Sequence, residues 1–317
     1  SRVTASGVVD QLIRRGFVKH VGALPSSTGG PSARAYALTS DSAYATGIAI
    51  DGYQIAIMTT SLSGDVVSRH VEPIDGDETV VPAVERAIRG QLAALDAPAA
   101  KLRQIVIGAS GVVDPAAREL SFAVNATSWK SNLATRLRQS LGCPVGFEND
   151  VNLAALAETR RGADDDLVLV WLDEGIACGI VLGGRLYRGA AGWAGEIAFL
   201  PASVTGWADF EAGTEGTHTT TMQRAVGIRG VTHLARGHDM DVDALLLDQS
   251  CSIAARTELA RRIALAAAGP VFVFDPDLVV LAGLVARPGG EALLEQVRQE
   301  LAAIGPAPAR LALSETG

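Results

Sequence analysis

The period of the apolar positions changes once within the first forty residues. Thr4 to Arg15 (TASGVVDQLIRR) sets Val8, Val9, Leu12 and Ile13 at helical spacing, and Gly16 supplies a C-terminal stop, so a helix is expected there. Phe17–Val21 and Arg34–Leu38 then flank Ser26-Ser27-Thr28-Gly29-Gly30-Pro31, the pattern of strand, turn-rich tip and strand. A helix followed by a hairpin is the second half of a winged helix, in which the helix enters the major groove and the wing follows the backbone. Ser1, Arg2, Thr4, Ser6 and Arg34 are the donors such a head would offer to DNA. A helix-hairpin packed on the body with no nucleic acid involved fits the same pattern equally well.

From Tyr44 the pattern becomes a three-stranded meander. Tyr44–Ile50, Gln54–Thr60 and Val66–Val71 are separated by turns at Asp51-Gly52 and Ser63-Gly64-Asp65. A helix at about 78–95, strand Gln104–Ala109 and helix Trp129–Leu141 follow. The scheme then recurs: Leu167–Leu172, Ile176–Leu182 and Arg185–Tyr187 as strands, helices around 220–235 and 251–268, strand Leu278–Leu281, helix Glu291–Ile304. A duplicated unit of this kind predicts an α/β protein of two similar lobes with a cleft between them, preceded by part of a winged helix-turn-helix. The expected domains are 1–40 for the head, 44–145 for the first lobe and 146–317 for the second, with the last helix free to return to the first lobe.

Composition narrows the class without naming it. Hydrophobic residues make up 48% of the 317 and charged residues 20%, as in a globular protein rather than a disordered or fibrous one. The longest uncharged apolar run, Ile263 to Phe274, is expected to be broken at Gly269-Pro270 and is too short to span a bilayer. No basic segment with an apolar stretch opens the chain, so no secretory signal is expected. Cys143, Cys178 and Cys251 are odd in number and far apart, which suits reduced thiols and a cytoplasmic location. Residues 1–38 carry five basic side chains against Asp10 alone, a net of +4, so the rest holds −12 of a total of −8. A basic end on an acidic body fits a protein that meets a polyanion at one end.

Four motifs carry a family resemblance. They are Gly108-Ala109-Ser110-Gly111-Val112-Val113-Asp114; Asn125 with Trp129; Glu148-Asn149-Asp150-Val151-Asn152-Leu153-Ala154-Ala155-Leu156-Ala157-Glu158; and Gly183-Gly184-Arg185-Leu186-Tyr187-Arg188-Gly189 running on to Gly195-Glu196-Ile197. Together and in this order they resemble the ROK family (repressors, open reading frames, kinases), and Ser1–Leu38 resembles the recognition helix and wing of its repressor branch. The resemblance implies the two-lobed actin-like (sugar kinase/ribonuclease H-like) fold. It also implies that the chain begins partway through the DNA-binding domain and stops before the family's last helix. In family kinases the Asp of Glu-Asn-Asp is the general base for the sugar hydroxyl, and that position is Asp150. By the same resemblance Asn125, Asn149, Glu196 and Glu211 are sugar contacts. Read without the family, Asp150 is an N-terminal carboxylate favoured by the helix dipole, and Glu196 and Glu211 are ordinary solvated acids.

The ATP machinery of the resemblance is missing. Where the family has Asp-x-Gly-Gly-Thr, this chain has Ala49-Ile50-Asp51-Gly52-Tyr53, and the second glycine-rich turn reads Asp173-Glu174-Gly175. Phosphate loops work by closing bare backbone N–H groups around oxygens. A carboxylate about 4 Å from a phosphate, at an effective dielectric of about 20, opposes it by on the order of 4 kcal/mol. Only Gly283 remains of the adenine-side glycines. The family's zinc ligands fall on Ala198, Ala202, Val204 and Asp209, and His20, His70, His218, His233 and His238 have no ligand spacing. The zinc loop is therefore expected to be held by packing of Phe199, Trp207 and Phe210. The resulting expectation is a kinase-dead transcriptional regulator with no cofactor and no metal, Asp150 being a vestigial base. Its partners would be operator DNA, a sugar or sugar-derivative effector and a second copy of itself, with no membrane. The alternative is a ROK sugar kinase with atypical phosphate loops.

Overall fold

The computed structural model describes residues 2–24, 32–50, 54–74, 80–123, 133–162, 165–202, 221–247, 252–306 and 310–315; side chains are described from residue 5 onward. The chain divides into two compact units, Ser1–Gly111 with Ala117–Glu148, and Val112–Ala116 with Asn149–Gly317.

The first unit opens with helix α1 (Arg2–Arg14) and the antiparallel pair β1 (Val18–Leu24) and β2 (Ala33–Leu38). Two backbone bonds close the end of α1, Gly16 N–H to Ile13 O and Phe17 N–H to Leu12 O, with Gly16 at φ +76°. Strands β3 (Tyr44–Ile50), β4 (Gln54–Ser61) and β5 (Val66–Pro73) form the meander. Helix α2 (Val80–Ala94), β6 (Leu102–Ala109), β7 (Gly111–Val113), β8 (Leu120–Ala123), α3 (Leu133–Leu141) and β9 (Val145–Asn149) follow. The sheet order is β5-β4-β3-β6-β9. Burial alternates along β3 and β4, as a sheet with one covered face requires. The covered face contains a polar cluster. Thr46 and Thr59 hydroxyls share a hydrogen bond of 2.9 Å, Thr59 donates to Gln91 Oε1 at 2.6 Å, and Gln91 Nε2 donates to Ile57 O.

The second unit repeats the plan. It contains α4 (Asp150–Thr159), β10 (Leu167–Leu172), β11 (Ile176–Leu182), β12 (Arg185–Leu186), α5 (Met222–Val226), α6 (Ile228–Arg236), α7 (Val242–Leu247), α8 (Ile253–Phe274), β13 (Leu278–Ala282), α9 (Gly290–Ile304) and β14 (Arg310–Leu313). Its sheet order, β12-β11-β10-β13-β14, matches the first position for position. This is the mixed α/β, twice-used sheet of the actin-like sugar-kinase fold.

Several element boundaries depart from the sequence pattern. The single helix expected over 220–235 is two, because Gly227 adopts an extended backbone (φ −65°, ψ 157°) between α5 and α6. The helix expected to end near 268 runs on to Phe274, with Pro270 inside it, so Gly269-Pro270 does not break the apolar run. The fifth strands β9 and β14 were not evident, since four or five residues are too few to establish a period. Among the described residues no helix is long and apolar enough to cross a membrane.

Candidate functional site

The Glu-Asn-Asp motif falls at the start of α4. Asn149 is the N-cap, its Oδ1 accepting from Asn152 N–H at 3.0 Å, and Asp150 accepts from Val151 N–H at 2.9 Å. Glu148, the residue before, is almost fully buried in the first unit, with the Arg118 guanidinium 3.9 Å away. Helix α4 lies close on β11. An added Cβ at Gly179 would come 2.5 Å from Ala155 Cβ and 2.8 Å from Val151 O, so glycine at that one position sets the approach. The cap residues are held in place by this contact, within the second unit.

Glu196 reaches the same place from a different segment. Gly195 has φ +96°; its carbonyl accepts from Cys178 N–H at 2.7 Å, and a Cβ there would overlap Cys178 O. Glu196 is thereby pinned next to β11. Burial, and then the charge of Asp150, push its carboxyl above the ordinary glutamate value. Cys178 beneath is buried, and burial with the Glu196 charge pushes its thiol up to about 12, so it is packing material rather than a nucleophile. Asp150 at the start of α4 and Glu196 in the segment after β12 thus form an acidic pair, with Asn149 beside Asp150. Such a cluster suits hydrogen bonds to hydroxyl groups.

The turn between β10 and β11 is occupied from within. Gln223 on α5 accepts from Ile176 N–H at 2.9 Å and donates to Glu174 O at 2.6 Å. Asp173 Oδ1 takes the N–H of Glu174 at 2.8 Å, and the Asp173 N–H is bonded to Gly175 O. Helix α5 is in turn fastened to α8, where buried Arg262 donates to Ala225 O and Gly230 O while pairing with Glu258. The N–H groups a phosphate would need at residues 173, 174 and 176 are therefore already bonded. Gln223 was not anticipated. It lies 47 residues from Ile176 in sequence, and nothing local marks it. In the first unit, Ala49 pairs with Ala56 and Gly108, presenting a methyl group and no carboxylate; residues 51–53 lie outside the described residues.

Of the four positions matched to the family's zinc ligands, Ala198 and Ala202 carry no donor atom on their side chains, and Val204 and Asp209 lie outside the described residues. Ala202 is buried in the apolar core of the second unit and Ala198 packs against it. Among the described residues no group of three His, Cys, Asp or Glu is placed to hold an ion. The expected aromatic clasp is corrected as well. Phe199 is 59% exposed and meets Trp193 at a tilted angle (centroids 5.9 Å apart, planes 57° apart) instead of packing inward, because its neighbours Ile197, Ala198 and Ala202 take the core positions. Trp207 and Phe210 lie outside the described residues. The segment is anchored by the Pro201–Thr221 bridge and by Met222 N–H on Leu200 O.

Asn125, Glu211 and Ser1 also lie outside the described residues. Arg2 and Thr4 are in the first turn of α1, Ser6 is exposed on that helix, and Arg34 is exposed on β2.

Comparison with known proteins agrees with this architecture. The chain is 27% identical over 282 residues to a glucokinase of Halalkalibacterium halodurans, covering 81% of this chain and 84% of that one. It is 25% identical over 296 residues to the DNA-binding transcriptional dual regulator NagC of Escherichia coli, covering 87% and 72%. Among solved structures, a ROK family transcriptional regulator described as a homolog of the E. coli MLC protein superposes with a TM-score of 0.77 at 18% identity, covering 99% of this chain and 84% of that one, a likeness of fold. The ROK family model matches residues 45–305, and with the duplicated sheet and the motifs at α4 and β11 in place, the chain belongs to the ROK family.

Proposed function

We propose that this protein is a DNA-binding transcriptional regulator whose kinase-like body does not phosphorylate sugar. The observation that carries the reading is the β10–β11 turn, whose N–H groups are spent on Asp173, Gly175 and Gln223 before any nucleotide arrives. Ala49 in place of a metal-side carboxylate supports it from the other unit. The basic head supports the DNA half: α1 and the β1–β2 hairpin have the order of a recognition helix and wing, with Arg2, Thr4, Ser6 and Arg34, and Ser1 before them, as the groups for phosphates and base edges.

In this reading a sugar or sugar derivative is held by Asn149, Asp150 and Glu196, joined by Asn125 and Glu211. Asn149 Oδ1 caps α4, so its Nδ2 is the atom for a hydroxyl oxygen. Asp150 and Glu196 accept from hydroxyls. The effector alters DNA affinity by binding one of two states better than the other. The protein acts in the cytoplasm as a homodimer on a palindromic operator, without metal or cofactor. The kinase alternative rests on one observation, the retention of Asp150 at the start of α4. A coupled ATP-turnover assay on a hexose panel separates the two. No turnover is expected, and turnover abolished by Asp150→Ala would overturn the regulator reading. Selection of a bound sequence from random DNA is expected to enrich a two-fold symmetric site.

A further inference from the structure

At the junction of the head and the first sheet, Arg15, Phe17, Ala43, Leu62 and Arg103 line a pocket of about 590 Å³ that opens to solvent. The turn that ends α1 brings Phe17 back over the helix end, where its carbonyl accepts from Thr39 N–H at 2.9 Å. Phe17 and Arg15 are thereby fixed on the head's side. On the body's side, Arg103 has an unusual position. Tyr44 pairs with Leu102 and Ala45 with Gln104, so Arg103 is the extra residue of a bulge in a parallel pair. Bulges in parallel pairs are rare and re-aim the bulged side chain. Here the guanidinium carbon lies 5.8 Å from the centre of the Phe17 ring. Among the described residues no carboxylate or carbonyl accepts from the side chain of Arg15 or Arg103. The neighbouring acid, Asp41, faces Lys101 at 3.8 Å.

Two arginines share the lining of one pocket whose other residues, Phe17, Ala43 and Leu62, are apolar, a combination that favours an anion over a cation. The planar fork of arginine matches phosphate and carboxylate oxygens in pairs. We infer that this junction pocket binds a small anionic metabolite, a phosphate monoester or carboxylate, through Arg15 and Arg103. Because one side of the pocket belongs to the head and the other to the body, the bound anion fixes the angle of the head. That consequence rests on the regulator reading; the binding itself does not.

Calorimetric titration of the full chain at low ionic strength tests it, using inorganic phosphate, glucose 6-phosphate and glucose as probes. Phosphate and the phosphate ester are expected to bind. The double variant Arg15→Gln/Arg103→Gln is expected to weaken both by about tenfold to a hundredfold, and Glu196→Ala to leave inorganic phosphate unaffected. Arg103→Lys, which keeps the charge but not the fork, should fall between. Should the double variant fail to fold, Arg15→Gln alone, at an exposed position beyond the helix end, is expected to weaken phosphate binding severalfold. Absence of phosphate binding, or equal affinity in the arginine variants, would overturn the site. So would arginine variants that weaken only DNA binding, which would assign these groups to the DNA backbone. Phosphate binding in a protein that binds no DNA would leave the site standing and sink the regulator reading.

Discussion

The two sheets have the same strand order and opposite surroundings. In the first, β3 and β4 alternate between buried and exposed positions; in the second, β10 and β11 are buried along nearly their whole length. The register shows the substitution directly. Counting from the turn-closing pairs Ile50–Ile55 and Leu172–Ile176, the buried pair Thr46–Thr59 corresponds to Val168–Ile180, so one unit has hydroxyls where the other has branched aliphatics. Glycine has changed strand too. Gly47 faces Met58 in the first sheet, with open space where its Cβ would be, whereas in the second Gly179 faces Leu169 and lies under α4. A repeated topology therefore does not repeat the chemistry. The candidate site lies where a helix presses on a glycine, and the other copy of the sheet has no such contact at Gly47.

The sharpest way to break this comparison is at the glycines. Gly195→Ala, at a positive φ and against Cys178 O, is expected to destabilise by about 3 kcal/mol or more. Gly179→Ala should cost about 2 kcal/mol by forcing α4 off the sheet, and Gly47→Ala should stay within about 0.5 kcal/mol. Urea denaturation of the three variants checks the order, and equal losses at Gly47 and Gly179 would dissolve the contrast.

The polar cluster of the first sheet comes next. Thr59→Val leaves Gln91 Oε1 and the Thr46 hydroxyl without their buried partner, at about 2 kcal/mol. Making the first sheet resemble the second, with Thr46→Val, Thr59→Ile and Gln91→Leu together, is expected to recover most of that loss in the same denaturation series. If the triple variant is no better than Thr59→Val, satisfaction of the hydrogen bonds is not what makes the cluster tolerable.

Gln223→Ala removes both bonds that fill the β10–β11 turn, for about 1 kcal/mol at this half-buried position. Amide hydrogen exchange should show faster exchange at Ile176 while β13 is unchanged.

The smallest effect is a pH dependence. Glu196 holds its proton more tightly folded than unfolded, so its contribution is fully present at acid pH and is lost as the pH rises from the ordinary glutamate value of 4.5 through the raised folded value. Glu196→Gln should therefore match the parent in Tm at low pH and become progressively more stable than it towards neutrality. A Tm difference that does not change with pH would contradict the burial and the Asp150 charge as its cause.

Much of this architecture was legible in the sequence because it is local. The meander Tyr44–Val71 and its repeat from Leu167 are written in alternation and turn residues, and Asn149-Asp150 sits before an apolar helical run where a cap belongs. Glu196 was legible through its glycine-rich motif. The short strands β9 and β14 were not, nor was the passage of α8 through Pro270, since neither has a period of its own to read. Phe199 misled for a plain reason: an aromatic in a loop invites burial, but Ile197 and Ala202 were better placed to enter the core.

What the sequence determined by itself is the duplicated α/β plan, the family, and the acidic residues Asp51, Asp173 and Glu174 at the turns that follow the first strand of each repeat. Those are properties of residue type at fixed spacing. Only the tertiary structure decided that Gln223 fills the second turn, that Ala202 enters the core with Ala198 packed against it, and that a bulge turns Arg103 towards Phe17. Each of these joins residues far apart in the chain through side-chain contacts, which no local pattern of apolar and polar positions can encode.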